Sequence, residues 1–154
     1  MHFNMTAIHQ ITEIKAPINL VFDLSRNIDL HKLSTSKSNE TVIAGVDSGL
    51  INLNETVTWR GKHFGIYLTH KSSISQMEVP SFFEDVMLEG RFTSFKHQHF
   101  FSEQIGVTTI KDVIEYQVPF GIFGKFFDAM VLKKYLTKFI GERNEFIKNT
   151  AENN

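Results

Sequence analysis

The sequence predicts an α+β fold: a curved antiparallel β-sheet wrapped around a long C-terminal helix, with two short helices after the first strand. Three observations lead there. A strand-like stretch stops at Ala16-Pro17 and gives way to residues spaced for short helices. From Glu40 to about Pro119 the chain alternates in steps of two, broken by short turn signals. Beyond Pro119 apolar residues recur at helical spacing through the segment 122–149.

Residues 5–15 are read as the first strand. Pro17 ends it, because the residue before a proline avoids the helical region, and proline itself suits the first turn of a helix. INLVFDLSR then places Leu20, Val21 and Leu24 on one helical stripe, and residues 28–34 are read as a second short helix. Ser34 to Asn39 is polar and reads as loop. TVIAGV and the turn signal Asp47-Ser48-Gly49 open the strand region. The long stretch from Glu55 to Met77 carries a break at Gly61-Lys62, so His63-Phe64 would open the next strand. SFFEDVMLEG and FTSFKHQHFFSE follow on either side of Gly90-Arg91, and a turn near Gln104-Ile105-Gly106 leads into VTTIKDVIEYQV. Connections this short join neighbours in an antiparallel meander. In the last segment Phe123, Phe127, Met130, Leu136 and Phe139 form an aromatic stripe that the sheet is expected to cover, and the lysines between them read as a solvated face interspersed with acids.

Composition narrows the function classes. The 154 residues suit one domain, expected over 1–154, with a substantial core. Sixteen basic against seventeen acidic residues leave no positive field for nucleic acid. The absence of cysteine removes disulfides, thiolate metal sites and a cysteine nucleophile. MHFNMTAIHQ has no basic segment followed by an apolar run, so no secretory leader is read there, and no stretch is apolar enough for a membrane span. A cytoplasmic location is expected, with no stable membrane insertion; oligomeric state is not legible. No phosphate loop, dinucleotide fingerprint or nucleophile elbow is present.

The chemistry concentrates in SFKHQHFFSE. His97 and His99 share one face of a strand with Phe95 and Phe101. With a turn centred on Gln104-Ile105, His97 would face Asp112 and His99 would face Ile110 on the next strand, whose inward side reads Ile110, Asp112, Ile114, Tyr116, Val118. Three readings compete for His97, His99 and Asp112. The first is a hydrogen-bonded cluster settling polar groups inside an apolar cavity. The second is a set that orients a ligand oxygen or moves protons, which leaves catalysis open. The third, ranked last, is a two-histidine, one-carboxylate metal site. His97-x-His99-x3-Glu103 also matches the spacing of the cupin metal motif, but Glu103 falls at the turn and no second histidine motif follows. No metal or other cofactor is therefore expected. Trp59 with Glu55 reads as core packing beside an edge acid, or more sharply as an aromatic cavity wall with a polar anchor. Asp85 reads as an exposed or hairpin-stabilising acid that could pair with Arg91.

Strand, two helices, antiparallel sheet and long final helix describe a helix-grip fold. Ala16-Pro17 with Val21-Phe22, Pro80 to Asp85 followed by Gly90-Arg91-Phe92, Phe95 to Phe101, and Asp112 to Gly121 resemble the SRPBCC superfamily of START-like and polyketide-cyclase-like proteins. The resemblance covers nearly the whole chain. It implies a cavity between sheet and final helix that takes a small hydrophobic ligand or lipid. The residues expected to line that site are Trp59, Phe83, Phe95, His97, His99, Asp112, Tyr116, Phe127 and Met130. Two alternatives remain: a cyclase, dehydratase or hydrolase using His97, His99 and Asp112, and a protein-interaction module with a filled cavity.

Overall fold

A computed structural model describes residues 5–154. The first four residues of MHFNMTAIHQ, read above for a leader, lie outside them. Strand β1 (Thr6–Ile14) leads into helices α1 (Ile18–Ser25) and α2 (Ile28–Ser34), then a short 3-10 turn at Ser36–Ser38. Six strands follow: β2 (Thr41–Gly45), β3 (Thr56–His63), β4 (Ile66–Glu78), β5 (Phe82–Glu89), β6 (Ser94–Gln104) and β7 (Val107–Gln117). All pairings are antiparallel, in the order β1-β7-β6-β5-β4-β3-β2. The chain ends in α3 (Gly121–Phe127), a π-helical turn at Asp128–Leu132, and α4 (Lys133–Glu152). This is the expected helix-grip architecture.

Local chemistry explains the joints. Pro17 precedes α1 in extended conformation, and the Asn27 side chain caps α2 by accepting from the Leu30 amide at 2.9 Å. The β6–β7 turn is Ile105-Gly106, both at positive φ (49° and 74°), as a two-residue hairpin turn of the type that matches strand twist requires. The β3–β4 turn falls at Phe64-Gly65 (φ 52° and 79°), three residues beyond the expected break at Gly61-Lys62. Gly61 answers a different need. A Cβ there would sit 2.5 Å from Glu40 Oε1, so the glycine makes room for the Glu40 carboxylate inside the strand.

The core lies between the concave face of the sheet and the helices. Phe22 of α1 meets Phe83 and Phe101 edge-on, at centroid distances of 5.6 and 5.1 Å, and Ile147 of α4 joins the same cluster. A second cluster packs Leu132, Leu136 and Ile140 against Ile8, Ile114 and Tyr116. The aromatic stripe is covered only in part. Leu136 and Phe139 pack inward, whereas Phe123 and Met130 are more than half exposed and Phe127 is 43% exposed. The reason is geometric: the π-helical turn breaks the 3.6-residue phase, so a stripe extrapolated back from Phe139 points elsewhere before Asp128.

Candidate functional site

Two clusters leave a gap between sheet and α4, and it forms a cavity of about 250 Å³. Its walls are largely apolar, with Trp59, Ile74, Phe83, Phe95, Ile114 and Leu136 among them. Two polar groups also line it: Glu40, His63 and Tyr135, joined by hydrogen bonds through His63, and a larger one to which His97 and His99 from β6, Asp85 from β5, His31 from α2 and Arg143 from α4 contribute.

The larger polar group is built by register. β6 and β7 pair so that His97 faces Ile114 and His99 faces Asp112. The expected pairing is off by two residues because the turn centre lies one residue further on. An even shift keeps every side chain on its face, so both histidines still point inward. β5 sets Asp85 opposite His97. The imidazoles stack 3.7 Å apart, and Phe83 stacks on His99 at 4.0 Å. His97 Nε2 donates to Asp112 Oδ1 (2.6 Å), and His99 Nε2 donates to Asp85 Oδ2 (2.9 Å). Asn144 Nδ2 holds the other Asp112 oxygen at 2.6 Å and also reaches Thr12 Oγ1 at 3.2 Å. His99 Nδ1 lies 3.2 Å from Asp112 Oδ1 without a hydrogen bond, so that contact is one of charge alone.

Electrostatics sorts the group into charged and neutral members. Burial pushes Asp85 and Asp112 towards protonation, but the hydrogen bonds and charge of the histidines outweigh it; Asp85 ends below the ordinary carboxylate range and Asp112 well below. His99 is also opposed by burial, yet two carboxylates raise its pKa. His97 ends lowered, by burial first and by the neighbouring His99 second. Burial and the Arg143 charge bring His31 down to about 3, so it packs on Trp59 (4.2 Å) as a neutral ring. Arg143 is 7% exposed, and burial lowers its pKa. Its Nη2 donates to the Ser25 carbonyl at 2.6 Å and Nη1 to Asn144 Oδ1 at 3.4 Å. Among the described residues no carboxylate forms an ion pair with it within 4.0 Å, so the guanidinium retains donor capacity at the cavity.

Not every expected residue reaches the cavity. Trp59, Phe83, Phe95, His97 and His99 line it. Asp112, fully buried, stands behind the histidines. Tyr116 is also fully buried but lies off the cavity, its hydroxyl donating to Asp128 at 2.5 Å. Phe127 and Met130 are outside, on the half of the final helix that the sheet does not cover. Glu55 is spent on the Asn52 amide (2.7 Å). Asp85 corrects the exposed-acid expectation: it bonds His99 rather than Arg91. Its place beside Phe83 in strand alternation was the available signal. His31, Arg143 and Asn144 carried no comparable signal, since a polar helical segment such as GERNEF reads as solvated.

Asp85, His97 and His99 each offer one ligand atom, all within 4.8 Å of one another, so a cation of the two-histidine, one-carboxylate class would take Asp85 in place of Asp112. One nitrogen of each ring is already committed to a carboxylate, and the hydrogen-bonded network accounts for the arrangement with protons alone.

No family model matches the chain, and no curated protein matches it. Solved structures do. A START superfamily protein from Mycobacterium smegmatis is 9% identical, with a TM-score of 0.72 over 96% of this chain and 97% of that one. The major latex-like protein 151 of Panax ginseng is 14% identical, with a TM-score of 0.70 over 96% and 97%. Ara h 8.0201 is 8% identical, with a TM-score of 0.69 over 98% and 100%. Identities this low establish a shared fold, the START-like helix grip. Among the described residues no helix is long and apolar enough to cross a membrane.

Proposed function

We propose that the protein reversibly binds one small amphipathic molecule, its apolar body in the cavity and a polar oxygen at the Arg143–Asp85–His99 end. The observation that carries this reading is the cavity itself: largely apolar walls with a small number of polar groups, the usual make-up of a small-molecule site. Its size sets the ligand class. At about 250 Å³ it falls just under the roughly 300–1,000 Å³ of pockets for drug-sized ligands, which favours a compact or single-chain molecule over a two-chain lipid. The partly free Arg143 fork favours an acidic or carbonyl oxygen as the polar head. Trp59, Phe83, Phe95, His97 and His99 form the proposed contact set, with Asp112 holding the histidines in place. The test is titration with a fluorescent single-chain fatty acid, in the parent protein and in Leu68→Trp and Leu136→Trp, which fill the cavity. Saturable uptake that both variants abolish supports the reading. Equal uptake by parent and filled variants contradicts it.

A second reading has one observation in its favour. His97 is lowered in pKa, fixed by a carboxylate through Nε2, and lines the cavity, which is the arrangement of a general base. A cyclase, dehydratase or hydrolase of this design requires that His97→Ala and His99→Ala abolish turnover in a substrate screen. Turnover that survives both variants removes acid–base catalysis by them. The filled-cavity interaction module is disfavoured by the open space between sheet and helix.

A further inference from the structure

The junction after β7 exposes apolar side chains on a scale that solitary surface residues do not explain. Phe120, Ile122, Phe123 and Phe126 are 83%, 76%, 82% and 69% exposed, and Phe127 and Met130 extend the face along the helix. The backbone turns tightly there: a Cβ on Gly124 would fall 1.8 Å from the Pro119 carbonyl, so α3 is seated against the segment after β7 by a glycine. The tip of the β3–β4 hairpin continues the face. Phe64 lies 5.6 Å from Phe127 and 4.6 Å from Tyr135, and both Phe64 and Tyr135 line the cavity.

Charge indicates what covers this face. Between Pro119 and Gly141 the chain carries Lys125, Lys133, Lys134 and Lys138, all exposed, and a single acid, Asp128. Acids are interspersed from Glu142 onwards, where Glu142 pairs with Lys138 at 3.9 Å, but before Gly141 the one acid, Asp128, is turned inward, accepting from Thr6 Oγ1 and the Tyr116 hydroxyl. This exposed segment is thus aromatic and cationic on a chain whose formal net charge is −1. A second copy packed symmetrically on the same patch would bring like charges together. An anionic lipid surface suits it instead: aromatic side chains settle at the headgroup–acyl boundary while lysine stems snorkel to the phosphates.

We propose that this face is a reversible docking surface for an anionic membrane, with Phe120, Phe123 and Phe126 entering the interface and Lys125, Lys133 and Lys134 on the lipid phosphates. Docking there sets the Phe64 and Tyr135 edge of the cavity close to the bilayer. The test is co-sedimentation of the full chain with phosphatidylcholine vesicles containing about one-third phosphatidylserine, against phosphatidylcholine alone. Binding to the anionic vesicles is expected, weakened by salt, lost in the double variant Phe123→Ser/Phe126→Ser, and about a hundredfold weaker in Lys125→Gln/Lys133→Gln/Lys134→Gln. These side chains are outside the core, and unchanged thermal unfolding checks that the variants fold. No binding to anionic vesicles, or binding that both variants retain, overturns the proposal. So does a solution dimer that the phenylalanine variant dissolves while vesicles stay unbound, which would assign the face to self-association. Fatty-acid uptake in solution is expected to be unchanged in both variants, so failure here is distinguishable from failure of the cavity reading.

Discussion

At the residue scale, the site is an alternation of charged and neutral groups within a few ångströms. Asp85, His99 and Asp112 form a carboxylate–imidazole–carboxylate series that favours the charged form of His99, while burial favours the neutral form of His97 and His31 beside it. Histidine proton titration by NMR checks this: His99 is expected to hold its proton above the ordinary 6.5, and His31 to remain neutral down to about pH 3. Titration of both near 6.5 would contradict the assignment. Linkage gives each group a sign. The raised His99 contributes stability that is full below 6.5 and is lost as pH rises through its folded value. The depressed Asp85 and Asp112 contribute above the ordinary 3.8, and that contribution is lost as pH falls through their folded values. His31 acts in the opposite sense to His99, because below 6.5 the unfolded chain takes a proton that the folded ring refuses. Asp112 is the keystone, since it binds His97 and Asn144 and is fully buried. Asp112→Ala is expected to lower stability by about 3–5 kcal/mol in denaturant unfolding, and Asp112→Asn by less. A loss under about 1 kcal/mol for the alanine variant would show that the network is not buried as described.

At the scale of elements, the turns carry a local test. Ile105 is fully exposed and sits at φ 49°, a backbone region that β-branched residues avoid, next to Gly106 at 74°. Asn-Gly is the natural pair for this two-residue turn. Ile105→Asn is therefore expected to stabilise the protein by roughly 0.5–1 kcal/mol, read as a raised denaturation midpoint; a lower midpoint would contradict the turn geometry. The same hairpin shows what was legible in the sequence. Period-two alternation put His97, His99, Phe95 and Phe101 on one face, and that face is inward. The turn centre was misplaced by one residue, which moved each cross-strand partner by two and left parity intact. Asp85 departs from the rule that acids are seldom buried, although Phe83, two residues away on the same strand face, reads as inward. The final helix departs from its expected phase because a π-helical turn leaves no mark on a 3.6-residue pattern. Gly61 looked like a turn signal, whereas its role is to leave space for Glu40, a contact 21 residues away in sequence and so invisible to a local reading.

At the scale of the whole molecule, a twisted antiparallel sheet and a helix that it only half covers produce two features at once. Where sheet and helix part, the cavity opens with its larger polar group on β5, β6 and α4. Where the helix begins, before its π-helical turn, the apolar face is left exposed. Arg143 and Asn144 carry no sequence signal, because only the assembled fold brings α4 to the histidine cluster. A small amphipathic ligand held at the Arg143 end of the cavity is the function proposed for this architecture. The most direct test is native mass spectrometry of the purified protein, repeated with Leu136→Trp. A bound molecule of small mass is expected, retained by the parent protein or taken up from an added single-chain fatty acid, and lost from the filled variant. A parent protein that binds no added fatty acid, or a filled variant that binds it equally well, would contradict it.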